Sequence, residues 1–260
     1  MKLKDRVAIV TGAGQGIGMS ICQRFAYEGA YVVPIDSRGE AARQVEEVIV
    51  KGGGKAHAMM VEVTDSGMVE AAMEQVMKRL GRIDILVNAA EYREAPDIAD
   101  LSIEHLRKMI DVNLIGAIVC SRAVFPYMRK QHSGSIIHLG AYDAYDSSIL
   151  GVNGHDEDHL PIPAYGLSKA GLAHVTKAMA RYAGQHKIRV NHLCAGLALT
   201  ETSKKLFGPK AFDTYARTSA MNRVLEDHDV DGAAVFLASE DSAFVTGQTL
   251  VVDAGHVMVG

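Results

Sequence analysis

Val7-Ala8-Ile9-Val10 runs directly into Thr11-Gly12-Ala13-Gly14-Gln15-Gly16-Ile17-Gly18, and a helical pattern begins inside the glycine run. A buried-type strand, a glycine turn and a helix in immediate succession place bare backbone N–H groups at a helix start. Such a site attracts a pyrophosphate through hydrogen bonds and the helix dipole. Gly12, Gly16 and Gly18 remove side chains that would block close approach. The next apolar run, Val32-Val33-Pro34-Ile35, ends at Asp36. A carboxylate about 20 residues past such a turn can accept from a ribose 2′-hydroxyl and repels a 2′-phosphate. The stretch therefore predicts a dinucleotide site that prefers NAD. Arg38 is a counterweight, because an arginine there can accommodate the 2′-phosphate of NADP; NADP is the less favoured cofactor.

Working outward, apolar runs alternate with helical patterns along the whole chain. Strands are predicted at 6–11, 30–36, 55–61, 83–88, 134–139, 187–193 and 248–253, and helices at 16–29, 39–51, 66–80, 102–131, 164–185 and 227–238. Most strand runs are continuously apolar, as parallel strands covered on both faces are. Ile17, Ile21 and Phe25 recur every four residues and form one core-facing stripe. Asp65-Ser66 and Leu101-Ser102 read as helix starts. The alternation predicts one α/β domain over 1–260: a doubly wound fold with helices on both faces and ligands at the carboxyl ends of the strands. Two long connections, 140–163 and 196–226, leave that edge and are candidates to shape a substrate pocket.

Bulk properties narrow the function classes. The chain has 260 residues, 48% hydrophobic and 22% charged, with net charge −4. No basic tract points to nucleic acid or an anionic membrane. No stretch of 18 apolar residues predicts a membrane span, and no apolar leader precedes the first strand. The three cysteines, Cys22, Cys120 and Cys194, are far apart and form no CxxC. That argues against a disulfide framework or zinc knuckle and for a reducing, cytoplasmic setting.

A second signal lies in Tyr165-Gly166-Leu167-Ser168-Lys169. Tyr and Lys four apart share one face of a helix. A phenol with an ordinary pKa of about 10 is a poor base near neutrality. A neighbouring ammonium favours the phenolate. The pair can thus exchange a proton with an alcohol or ketone while hydride moves. Taken alone, this spacing is also found on any solvated helix face.

With both signals on one chain, the sequence resembles the short-chain dehydrogenase/reductase family almost end to end. The resemblance rests on Thr11–Gly18, Asn88-Ala89-Ala90, Asn113 within Asp111-Val112-Asn113-Leu114, Tyr165 with Lys169, Gly196, Thr200 and the closing Val252-Asp253-Ala254-Gly255. It implies a Rossmann fold with a seven-stranded parallel sheet in the order 3-2-1-4-5-6-7. It implies Tyr165 as catalytic acid/base, Lys169 lowering its pKa and holding the nicotinamide ribose, and Asn113 in a water-linked proton relay. Cofactor contacts are implied for Gly12, Gln15, Gly16, Ile17, Gly18, Asp36, Glu62, Val63, Asn88, Ala90, Tyr165, Lys169 and Thr200. A homotetramer is implied too, with Phe125, Met128, Met179 and Tyr182 either crossing subunits or facing the sheet.

Several positions depart from the family pattern. Gly140 and Ala141 stand where a serine pair is usual, so the hydroxyl that orients the substrate oxygen is missing. Ser147 or Ser148 could supply a donor, or Tyr142 or His138; otherwise the enzyme works without it, or its chemistry has changed or decayed. Glu91 replaces a glycine and Ala195 a proline, and each could reshape the pocket. Ala141, Tyr142, Ser147 and Leu197 are the expected substrate contacts. Leu206 and Phe207 belong either to a substrate lid or to the core. His155-Asp156-Glu157-Asp158-His159 has ligand-like spacing but reads as a solvated acidic loop, so no metal is expected. The expected activity is NAD-dependent oxidation or reduction of a small alcohol or ketone, such as a polyol or sugar. The rival reading is a catalytically weak, cofactor-binding sensor or partner.

Overall fold

In the computed structural model, residues 1–93, 102–146 and 164–258 are described. The strands are β1 (Val7–Thr11), β2 (Tyr31–Asp36), β3 (Lys55–Ala56), β4 (Met59–Met60), β5 (Ile85–Asn88), β6 (Gly134–Ala141), β7 (Ile188–Ala195) and β8 (Thr249–Val252). All recorded pairings are parallel, in the order β3-β2-β1-β5-β6-β7-β8, with β4 also on β2. This is the expected doubly wound order with one refinement. The run 55–61 splits in two opposite Pro34 of β2, which has no N–H to give the neighbouring strand. The His57 N–H still donates to the Val32 carbonyl at 3.0 Å, and the Ala58 N–H, on the other side, donates to the Glu46 carboxylate at 2.9 Å.

Alternation along the strands divides the core. Ala8 and Val10 face one side with Ile21, Phe25, Ile49, Ile137 and Ala234. Val7 and Ile9 face the other with Val69, Met73, Leu86, Val124 and Ile188. Burial on both faces is what the continuous apolar runs require. The helices are α1 (Gly16–Tyr27), α2 (Gly39–Lys51), α3 (Ser66–Leu80), α4 (Ile103–Ile110), α5 (Ala117–Gln131), α6 (Ala164–Ala183), α7 (Glu201–Leu206), α8 (Pro209–Thr218) and α9 (Asp231–Ala238). Asp65 and Ser102 cap α3 and α4 by accepting from the backbone N–H three residues on.

The predicted helix 102–131 is not uniform. A π turn, Asp111–Gly116, separates α4 from α5 and holds Asn113. Such turns often sit at functional sites. By length and composition, Ile103–Gln131 could cross a membrane; here it packs against α3 and α6. Met128 from this run is fully buried in the second core cluster, whereas Tyr182 on α6 is exposed and stacks on Phe125 at 5.7 Å. Met128 therefore faces the sheet and is unavailable to a subunit contact.

Candidate active site

One cavity of about 360 Å³ runs along the carboxyl edge of the sheet, from the glycine turn to Tyr165. At its first end β1 gives way to α1. Gly12 has φ +62°, and a Cβ there would strike the Ala90 backbone. A Cβ at Gly14 would meet Asp36 Oδ2 at 2.8 Å. Among the described residues, Gln15 at the start of α1 makes no side-chain cap hydrogen bond, so the first amides are open to an anion. Asp36 is held at the rim. Its Oδ2 accepts from Gly14 N at 2.9 Å, and its Oδ1 accepts from Arg38 N at 2.9 Å and Arg38 Nε at 3.3 Å. Arg38 is thus folded back onto the carboxylate.

Gly12, Gln15, Gly16, Ile17, Gly18, Asp36, Glu62, Val63, Ala90 and Thr200 all line this cavity. Asn88 and Lys169 do not; they stand behind its wall, almost fully buried. Asn88 donates to Ser121 Oγ at 3.1 Å. Thr200 serves as the N-cap of α7 and accepts from Ser203 N at 3.1 Å. The glycine cradle, the open helix start and the rim carboxylate together fit a dinucleotide.

The second end is crowded with charge. Tyr165 is only 4% exposed, and its hydroxyl donates to Glu91 Oε2 at 2.9 Å. Lys169 Nζ, 1% exposed as a residue, reaches the same oxygen at 3.2 Å and donates to the Leu139 carbonyl at 3.1 Å. One carboxylate therefore ties together the Tyr–Lys pair. Burial pushes the Glu91 carboxyl up, but Lys169, Arg93 and the Tyr165 hydrogen bond outweigh it and hold the group below the usual range. The Tyr165 phenol goes the other way: burial raises its pKa well above the ordinary value, and the Glu91 charge raises it further. Burial and the Glu91 charge outweigh any lowering of the Tyr165 pKa in this arrangement.

Arg93 completes the cluster. Its guanidinium carbon sits 3.8 Å from the centre of the Tyr165 ring and 4.9 Å from that of Phe207. Nη2 donates to Asp143 Oδ1 at 3.2 Å, in a pair whose side chains are 10% and 0% exposed. Burial opposes the guanidinium charge, but Asp143, Tyr165 and Glu91 more than offset it and raise the pKa. Asn113 anchors the segment that carries Glu91 and Arg93. Its side-chain oxygen accepts from Tyr92 N at 2.7 Å, and its amide nitrogen donates to Tyr92 O at 3.0 Å and Ser168 Oγ at 3.2 Å.

The missing serine acquires a physical context. A Cβ at Gly140 would collide with the His192 ring, so no larger residue fits there. Ala141 lines the cavity and packs its methyl against Tyr165. His138 is excluded as a donor to substrate: it is buried between Ser121 Oγ at 3.1 Å and Thr176 Oγ1 at 2.8 Å, and burial pushes its pKa down to about 4. Tyr142 and Leu197 line the cavity, and Tyr142 packs edge-on against Tyr215 and His256. Leu206 lines it as well, and Phe207 covers Arg93. Ser147, Ser148 and the His155–His159 loop lie outside the described residues.

Sequence reasoning flagged Glu91 only as a change of shape and missed Arg93 and Asp143. The available signal was Glu91-Tyr92-Arg93, a charged triplet directly after a buried strand end at the ligand edge.

A family model described as enoyl-(acyl carrier protein) reductase matches residues 12–256. The chain belongs to the short-chain dehydrogenase/reductase family. Among its family relatives, 3-oxoacyl-[acyl-carrier-protein] reductase FabG of Thermotoga maritima is 32% identical over 99% of this chain and 100% of its own length. Meso-2,3-butanediol dehydrogenase of Serratia marcescens is 31% identical over 98% and 96%. A solved structure of 7α-hydroxysteroid dehydrogenase complexed with NADH and 7-oxo glycochenodeoxycholic acid superposes with TM-score 0.89 at 31% identity, covering 98% of this chain and 95% of that one. These family members act on quite different molecules, so membership fixes the fold and the reaction type more firmly than the substrate.

Proposed function

We propose that this protein is an NAD-dependent oxidoreductase of a small secondary alcohol or ketone, such as a polyol or sugar. The observation that carries the reading is the single cavity joining a dinucleotide cradle to the Tyr165 hydroxyl. Nicotinamide, when bound, supplies or accepts the hydride. Gly12, Gly16 and the start of α1 bind the pyrophosphate, and Asp36 holds the adenosine ribose. Glu62, Val63, Ala90 and Thr200 border the remaining length, with Asn88 behind the wall. Tyr165 holds the proton exchanged with the substrate oxygen. Lys169 orients and charges that corner. Asn113 fixes the Glu91–Arg93 segment, and its π turn carries the proton relay. Tyr165 cannot serve the substrate while its hydroxyl is given to Glu91, so that hydrogen bond opens in the working state. Ala141, Tyr142 and Leu197 border the substrate space. The protein acts as a cytoplasmic homotetramer, a state that light scattering checks. A panel of alcohols with NAD and NADP, followed at the reduced-nicotinamide absorbance, tests the activity; turnover with NAD supports it, and faster turnover with NADP contradicts the cofactor preference.

A second reading, a cofactor-binding sensor without turnover, is favoured by one feature: Glu91 ties up both catalytic groups while position 141 offers no hydroxyl. Binding of NADH without oxidation of any alcohol selects it.

A further inference from the structure

We propose that Arg93 is a catalytic residue: its guanidinium donates a hydrogen bond to the substrate oxygen that exchanges a proton with Tyr165. This rests on the oxidoreductase reading. As a carbonyl becomes an alkoxide, or the reverse, negative charge gathers on that oxygen, and donors already aimed at it lower the barrier. Tyr165 supplies one donor. The wall beside it at Ala141 supplies only a methyl. A second donor must line the cavity, touch Tyr165 and have an N–H or O–H not already spent.

Arg93 meets these conditions. It lines the cavity, and its guanidinium carbon lies 3.8 Å from the centre of the Tyr165 ring and 4.9 Å from that of Phe207. Buried Asp143 fixes one edge through Nη2. No other Arg93 nitrogen has a hydrogen-bond partner among the described residues, and none is sealed from solvent-accessible space. The free edge therefore opens on the cavity. The competing donors fail. Lys169 is engaged by Leu139 and Glu91, Ser168 donates to the Tyr165 carbonyl, and His138 lies behind β6 between Ser121 and Thr176. Tyr142 lines the cavity and its hydroxyl has no hydrogen-bond partner among the described residues, but that oxygen is sealed from solvent-accessible space beside Leu197 and Tyr215. A charged donor is also stronger than the hydroxyl it replaces.

The test uses Arg93→Gln, Arg93→Lys, Ala141→Ser and the Arg93→Gln/Ala141→Ser double variant of the full chain. Each is assayed on an alcohol that the parent oxidises, with NADH affinity read by fluorescence and folding by thermal melting. Loss of one such donor typically costs about 10²–10³ in rate. Arg93→Gln is expected to lose that much in kcat with NADH affinity unchanged, and the double variant to recover about ten-fold or more, because the new hydroxyl sits beside Tyr165. If Gln unsettles the fold, Arg93→Lys keeps a cation there and is expected to stay within about ten-fold of the parent. The assignment is overturned if Arg93→Gln keeps full kcat, if its loss lies wholly in KM or NADH affinity, if Ala141→Ser rescues nothing, or if a well-folded Arg93→Lys is as impaired as a missing donor implies. An active parent with a fully active Arg93→Gln sinks this assignment alone. A parent that binds NADH and turns over no alcohol sinks the oxidoreductase reading with it.

Discussion

At one end of the cavity the chain presents backbone: Gly12, the open first turn of α1, and a single carboxylate, Asp36, pinned at the rim. At the other end it presents side-chain charge: Glu91, Arg93, Asp143 and Lys169 around one phenol. The first end depends on what the residues lack, which is bulk. The second depends on how ionised groups neutralise one another in a confined space. Backbone donors bind an anion with little dependence on neighbours. A buried charge cluster changes every member's proton affinity when one member moves. Cofactor binding should therefore tolerate changes at the second end that ruin turnover.

Tyr165→Phe gives the largest expected separation of the two ends. General acid–base groups contribute about 10²–10⁴ in rate, and kcat should fall by that order while NADH affinity, read by fluorescence, stays put. Acid tests the wall behind the reacting end. His138, buried on β6, has its pKa pushed down to about 4. The unfolded chain then binds a proton, at about pH 6.5, that the folded chain refuses. Stability is full above that pH and is lost as pH falls toward 4, by about 3 kcal/mol from this residue. Urea unfolding at pH 7.5 and 4.5 measures it; a midpoint independent of pH contradicts the buried neutral imidazole.

Asp36→Ala probes the first end alone. Losing a charged acceptor should weaken NAD about ten-fold and narrow its margin over NADP, by titration of each nucleotide, without altering the pH dependence of turnover. The smallest expected effect is at Glu91. Replacing it with Gln removes a negative charge that raises the Tyr165 pKa in the free enzyme, so the rising limb of kcat/KM for oxidation, which reports the free enzyme, should move to lower pH while that of kcat stays in place. A kcat/KM limb that stays fixed would mean that Glu91 does not bear on Tyr165 before the cofactor and substrate bind.

The same contrast explains what could be read in advance. The glycine turn, Asp36 and the strand order follow from local rules: apolar runs, small residues and one acid at a set distance. Tyr165 and Lys169 lie four apart on one helix, so their proximity was legible too. The altered corner was not. Glu91 is 74 residues from Tyr165 and Arg93 is 50 from Asp143, and their meeting depends on where β5, β6 and α6 end in space. Likewise the absence of a serine at 140 looked like a loss, yet His192 from β7 fills the space a side chain would need. The split of the third strand falls opposite Pro34 of β2, which lacks the N–H the ladder needs there, and the apolar periodicity runs through it unbroken.

The most direct measurement is a crystal structure of the protein with NADH. The expected result is the pyrophosphate at the start of α1, the adenosine ribose on Asp36, the nicotinamide beside Tyr165, and Glu91 withdrawn from the Tyr165 hydroxyl. Glu91 still bonded to Tyr165 and Lys169, with the nicotinamide held outside that corner, would contradict it.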